Sequence, residues 1–342
     1  MLTQFQLKRA LLLSAGVASL FTITSSLALG VSPDSGPTPN GYVYIFKAST
    51  YADSFTVGSQ SKSGSFSYTP LVQANNALYS FVSTQIYNQV AATLPGMVNG
   101  GGGQLQGFST SLTGPINVNV SSTGAITISG MTIGINFNVY GSEFEGPVKI
   151  GVTCSISETF TSPTVTGNFN TATGTLGSLS VNLATPNQGV TCTSDLDEVP
   201  FLGSYIDGQA EQQTASEVKS GFGDMTSFNF NTAGGASSGF AGWPASIPSG
   251  VYVFNGVDYG AYVNSNLPAV INAGGLSASF TQIEPDGYLT NTLSPGDGPF
   301  WITQTIFTAA LPHLGISFSV QKTQQYTSTY HCNPDTSCGQ PN

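Results

Sequence analysis

Charge is the scarcest property of this 342-residue sequence: 7% of its residues are charged, against roughly 25% in an ordinary soluble domain. Seven Lys+Arg face seventeen Asp+Glu, a formal net charge of -10. Without a basic run the chain cannot neutralise a phosphate backbone, so nucleic acid is excluded as a partner, and an anionic membrane surface would not attract it. Only two histidines, His313 and His331, could serve as bases. The sequence has no G-x-x-x-x-G-K phosphate cradle and no dinucleotide fingerprint. The four cysteines lack the paired C-x-x-C knuckles that zinc sites favour. No cofactor and no metal is therefore expected. Beyond the first thirty residues, no run is long and apolar enough to cross a bilayer as a helix, so the mature chain carries no transmembrane span.

What is present suffices for folding, with 39% apolar and 11% aromatic residues. Lys8 and Arg9 precede an apolar run from Ala10 to about Ile23, and Ser26 and Ala28 supply the small residues of a cleavage site. Residues 1–28 thus read as a secretory signal, with an uncleaved anchor as the alternative. The expected location is secreted, periplasmic or cell surface, and the mature chain keeps five Lys and no Arg. In an exported chain four cysteines suggest two disulfides, with three possible pairings. Cys332 and Cys338 enclose a short polar loop and are the local choice. Cys154 and Cys192 then pair across a longer one. By strand parity with Ile156 and Val190, each of these two is expected to face the apolar side of its strand.

Apolar residues at Leu71, Ala74, Leu78, Phe81, Val82, Ile86, Val90 and Leu94 form a helical stripe bounded by Pro70 and by Pro95-Gly96. From Ile116 the period changes to two, with short alternating runs through Leu183. A second helix is expected from about Pro200 to Phe222, with Asp195, Asp197 and Glu198 at its approach. The fold class is therefore α+β, predominantly antiparallel β: a meandering sheet packed with two long amphipathic helices. Residues 29–231 form a helix-sheet-helix domain, and the Gly/Ser segment from Thr232 to Gly239 separates them from a β-rich part at 240–320, which can belong to the same domain. Residues 321–342 read as a polar tail with a local disulfide.

Catalytic matches are weak. Gly235-Ala236-Ser237-Ser238-Gly239 fits G-x-S-x-G, but Gly242 and Pro244 follow where a helix should start. Ser59 to Lys62 and Ser216 to Lys219 fit S-x-x-K, yet Lys322-Thr323 is followed by Gln324 instead of glycine. Glu143 and Glu145 stand too close on one strand to flank a sugar bond. What remains is apolar shape. The order of helix, meandering strands and second helix, with Cys154 and Cys192 at a similar separation, resembles the tubular lipid-binding superfamily that includes the bactericidal/permeability-increasing proteins. The likeness is topological and covers Leu71 to Phe222. Cys192 departs from the family pattern by preceding the second helix. The resemblance implies carriage of an apolar ligand between helix and sheet, without catalysis.

The leading expectation is thus an exported, non-catalytic protein binding an apolar or amphipathic small molecule. Its candidate wall residues are Leu78, Phe81, Ile86, Val90, Leu202, Ile206, Val218 and Phe222. The rival expectation is a structural or adhesive surface protein whose partners are other surface proteins, suggested by the uncharged Ser/Thr/Asn/Gly surface and the Tyr/Gln/Thr run from Gln321.

Overall fold

Alternation of β-branched or aromatic residues with Asn, Ser and Thr favours extended chain, and long antiparallel strands are what form. The computed structural model describes residues 41–331 apart from 65–67, 101–102, 146–147, 195–200, 236–238, 244–246, 288 and 290–297. The export signal, the Cys332 and Cys338 pair, Ser237 and the acids Asp195, Asp197 and Glu198 lie outside the described residues. β1 (Gly41–Val57) and β2 (Gln60–Lys62) precede α1 (Thr69–Gly100). Then come β3 (Gln104–Thr113), β4 (Ile116–Val120), β5 (Ala125–Ser129), β6 (Thr132–Glu145) and β7 (Val148–Thr161). β8 (Thr164–Asn170), β9 (Thr175–Asn182) and β10 (Asn187–Ser194) lead to α2 (Phe201–Gly223). The chain continues through β11 (Val253–Phe254), β12 (Val257–Asp258), α3 (Tyr259–Gly274), β13 (Leu276–Phe280), β14 (Gly298–Leu311) and β15 (Ile316–His331).

The fold is α+β and predominantly antiparallel β, as the alternation implies, but the expected single meander is divided between two large sheets. One holds nine strands in the order β2-β1-β15-β14-β13-β4-β5-β8-β9, the other four in the order β10-β7-β6-β3. The chain passes repeatedly between them at one corner, where Gly114 (φ 80°), Gly130 (φ 91°) and Ser162 (φ 50°) all adopt left-handed backbone. A β-carbon on Gly114 would lie 2.9 Å from the Gly130 carbonyl oxygen, and the Ser162 amide donates to the Met131 carbonyl at 3.0 Å. Strand continuation is sterically closed there, so each strand turns into the other sheet. Alternation is the same before and after the corner, which is why local pattern could not reveal it.

α1 buries Leu71, Ala74, Leu78, Val82, Ile86, Val90 and Leu94, each at most 2% exposed. It does not stop at Pro95-Gly96 but runs to Gly100. An interior proline costs ~3 kcal/mol, and burying Leu94 and Val98 on the same face recovers roughly 2 kcal/mol each. Both long helices are present, and the exposed face of α1 carries amides and hydroxyls in place of charge, so the contrast between its faces is shallow. They meet closely at Gly221, where a β-carbon would stand 3.0 Å from the Ile86 α-carbon.

The expected tail boundary at 321 is corrected, and across the Gly/Ser segment the two parts pack together. Around the Gly/Ser segment, Phe230 stacks on Phe240 with ring centroids 4.9 Å apart and Trp243 on Phe318 at 5.7 Å, so an aromatic core joins the two halves. Residues 321–331 are no tail: they form the second half of β15, with His331 opposite Gly41 and Ser328 opposite Gly298. Polar composition concealed this strand, because Lys322, Gln324 and Ser328 are buried with Tyr326 on its inner side.

Cys154 and Cys192 form a disulfide directly across β7 and β10, with α-carbons 4.0 Å apart. Cys154 is buried as expected. Cys192 is exposed, because β10 is the edge of its sheet and lacks cover there. The bridge closes a separation of 38 residues, so replacing both cysteines with alanine is expected to cost about 3 to 4 kcal/mol. Denaturant unfolding of the double variant checks this, and a loss under about 1 kcal/mol would show that the ladder alone holds the edge.

Candidate functional site

The apolar wall residues gather as the stripe requires. Leu78, Val218 and Phe222 are fully buried, Val90 is 1% exposed and Ile86 2%. Phe81 is half-buried, its ring 5.2 Å from that of Phe228. Leu202 and Ile206 fall on the first turns of α2, where only the backbone is described. The described members belong to one continuous core with Ile133, Ile135, Phe137, Val152 and Ile156 from the inner face of the four-stranded sheet. An apolar seam between helices and sheet is therefore built, and its known side chains are packed together.

One carboxylate stands on that inner face. Glu158 is fully buried opposite Ile135. Its carboxylate accepts from the Thr214 hydroxyl of α2 and, at 3.3 Å, from the Gln188 amide of β10. One turn along α2, the buried Glu217 accepts from Gln213 at 2.6 Å. The sequence reading missed Glu158. Its parity with Cys154, Ile156 and Phe160 was the available signal, since these mark the inward positions of β7.

Two further polar clusters lie beneath β1 and β15. Asp53 is 5% exposed and accepts from the Gly64 amide at 3.0 Å, the Tyr68 hydroxyl at 2.9 Å and the Tyr252 hydroxyl. Burial, and then the Asp53 carboxylate, push both tyrosine hydroxyls well above their ordinary range. Lys322, 3% exposed, donates to the Glu284 carbonyl at 2.5 Å and pairs with Asp286 at 2.8 Å. Burial would raise Asp286, but hydrogen bonds from Lys322 and Ser49 and the lysine charge outweigh it and hold the carboxyl below its usual range. Glu284 moves up, because burial exceeds the pull of Lys322. Among the S-x-x-K residues, Ser216 and Lys219 are exposed on α2, while Lys62 donates to the Val253 carbonyl. His313 is exposed on the turn before β15.

On the opposite face of the nine-stranded sheet, cross-strand register assembles two rows of small polar residues. The first runs Ser54, Ser319, Thr308, Ser279, Asn117, Ser129, and the second Thr56, Ser317, Ala310, Ser277, Asn119, Thr127. Each row crosses six strands, with neighbours roughly 4.8 Å apart. Between them the sheet forms an open groove of about 510 Å³. Side chains at its centre, such as Asn117, Ser279 and Thr308, make no hydrogen bond among the described residues and line the open groove. Further along, the same face carries Trp301, 59% exposed.

No family model matches this chain, and no curated protein matches it. Among solved structures, the crystal structure of a lipopolysaccharide binding protein is 11% identical, with a TM-score of 0.26, over 76% of this chain and 56% of that one. This chain thus spans little more than half the length of that structure. Likeness at that level is weak and assigns neither family nor ligand.

Proposed function

We propose that this chain is an exported binding protein that acts without covalent chemistry and takes an apolar or amphipathic ligand between α1, α2 and the inner face of the four-stranded sheet. The observation that carries the reading is Glu158. A ligand site for an amphipath needs apolar walls and a few convergent polar groups, and the Glu158, Thr214 and Gln188 cluster supplies such an anchor opposite Ile135 on the sheet and one helical turn from Val218 on α2. Leu78, Phe81, Leu202 and Ile206 complete the proposed walls. Export is supported by the signal-like start and by the disulfide, which persists in oxidising compartments. Among the described residues, no helix is long and apolar enough to cross a membrane.

Extraction of the purified protein with organic solvent, followed by mass spectrometry, is expected to release a lipid, and the extracted protein is expected to take up a fluorescent fatty acid. Glu158→Gln should weaken that uptake at least tenfold. An extract without lipid, together with no uptake, overturns the reading. The structural or adhesive alternative gains support from the uncharged outer sheet face. Fibres or polymers seen by electron microscopy would favour it, but deleting residues from Gln321 is no test, since β1 and β14 both pair with that segment.

A further inference from the structure

We propose that the groove on the outer face of the nine-stranded sheet binds an uncharged, hydroxyl-rich polysaccharide. The site is separate from the helix-sheet seam and stands whether or not that seam holds a ligand. Its chemistry narrows the occupant. The two rows contain no ionisable side chain from β1 to β5, so the face offers nothing to a charged polymer. Ser54 and Thr56, at the β1 end, bond Ser61, but from β15 to β5 the hydroxyls and amides of the rows have no partner among the described residues, and they exclude an acyl chain, which would strip their water and return no hydrogen bond. Sugar hydroxyls both donate and accept, as Ser, Thr and Asn side chains do, and can satisfy the rows in either sense.

A second copy of this chain fits less well. In a two-fold dimer each subunit presents the same patch, and two concave patches leave a void lined by unpaired hydroxyls. An extended peptide adding to a sheet would use an edge strand, whereas this groove lies over β15, β14, β13 and β4, which are interior strands paired on both sides. The length of the rows favours a polymer over a single sugar: six strands span roughly 24 Å. Trp301 adds an exposed flat ring on the same face, seven residues along β14 from Thr308 and roughly 20 Å away. Such a ring stacks on the apolar side of a pyranose and extends the contact for long chains.

The test is co-sedimentation of the full secreted chain with a panel of insoluble uncharged polysaccharides (cellulose, chitin, mannan and starch), with dextran sulfate as an anionic competitor. Binding to at least one, unchanged by dextran sulfate or by 0.5 M salt, is expected. Ser277 and Ser317 are exposed, so Ser277→Lys with Ser317→Glu should leave the melting temperature unchanged and weaken binding at least tenfold. Asn119→Asp is the milder variant and should weaken it about threefold. Trp301→Ala should weaken binding to the polymer but leave a soluble oligosaccharide from it unaffected. Three outcomes overturn the proposal: no polysaccharide retained above an albumin control, retention unaltered in the folded double variant, or a concentration-dependent dimer that the double variant abolishes.

Discussion

Raising the pH from 10 to 12 is expected to unfold this protein, while lowering it from 7 to 3 leaves it folded. Tyr79, Tyr252 and Tyr326 are 6%, 0% and 1% exposed. Burial pushes the Tyr79 hydroxyl up to about 12 from an ordinary value near 10. Burial followed by the Asp53 contact raises Tyr252, and burial followed by the charges of Asp286 and Glu284 raises Tyr326. Each folded-state pKa therefore exceeds its unfolded value. Below pH 10 both states are protonated and nothing is lost. Above it the unfolded chain releases its protons first, and stability falls as pH rises toward the folded values. One tyrosine contributes at most about 1.4 kcal/mol per pH unit, so over two units Tyr79 and Tyr252 together remove roughly 4 to 5 kcal/mol, and Tyr326 adds to the loss in the same direction. That approaches the whole stability of a marginal domain, about 5 kcal/mol.

On the acid side the terms are few and oppose one another. Asp258 and Asp286 have lowered values, so their contribution is present above an unfolded value near 3.8 and lost as pH falls through the folded ones. In Asp258 the backbone amides of Ala261 and Gly250 and the Ser249 hydroxyl overcome the effect of burial. Glu284 has a raised value, so acidification adds stability there. The net loss between pH 7 and pH 3 should stay under about 3 kcal/mol, the contribution of one strongly shifted carboxylate. Near-ultraviolet circular dichroism with absorbance at 295 nm checks both limbs. Tyrosinate should appear together with loss of tertiary signal. Independent titration of all the tyrosines near pH 10 in a folded protein would refute the alkaline limb.

Replacing Asp53 by asparagine is expected to cost about 4 kcal/mol, nearly as much as replacing it by alanine. Three donors, from Gly64, Tyr68 and Tyr252, converge on its two oxygens. An amide keeps one acceptor and turns an N–H group toward a donor, leaving a buried hydroxyl or amide unpaired. Tyr252→Phe is the control. It removes one donor, keeps the ring stacked 4.6 Å from Phe55, and should cost only about 1 to 2 kcal/mol. Urea unfolding of the three variants distinguishes the effects. Asp53→Asn within 1 kcal/mol of the wild type would mean that the cluster is hydrated and contributes little.

Much of the candidate seam was legible because α1 keeps one face buried over seven turns, and a 3.6-residue period is a local property. Glu158 was legible in principle, by parity with Ile156, and was overlooked because a carboxylate suggests solvent. The outer rows were not legible. Ser54, Ser319 and Thr308 are neighbours only through the pairing of β1, β15 and β14, which lie far apart in the sequence.

The amino-acid order by itself determined that strands dominate, which side of the apolar-alternating strands faces inward, where α1 lies and which residues of it are buried. Those features depend on steric preferences within a few residues. Tertiary structure decided that strands divide between two sheets at the Gly114, Gly130 and Ser162 corner, that Gln321 to His331 is an interior strand, and that scattered serines and asparagines become two rows beside a groove. Such outcomes are settled by which distant segments exchange backbone hydrogen bonds, and many pairings share the same alternation of inward and outward residues.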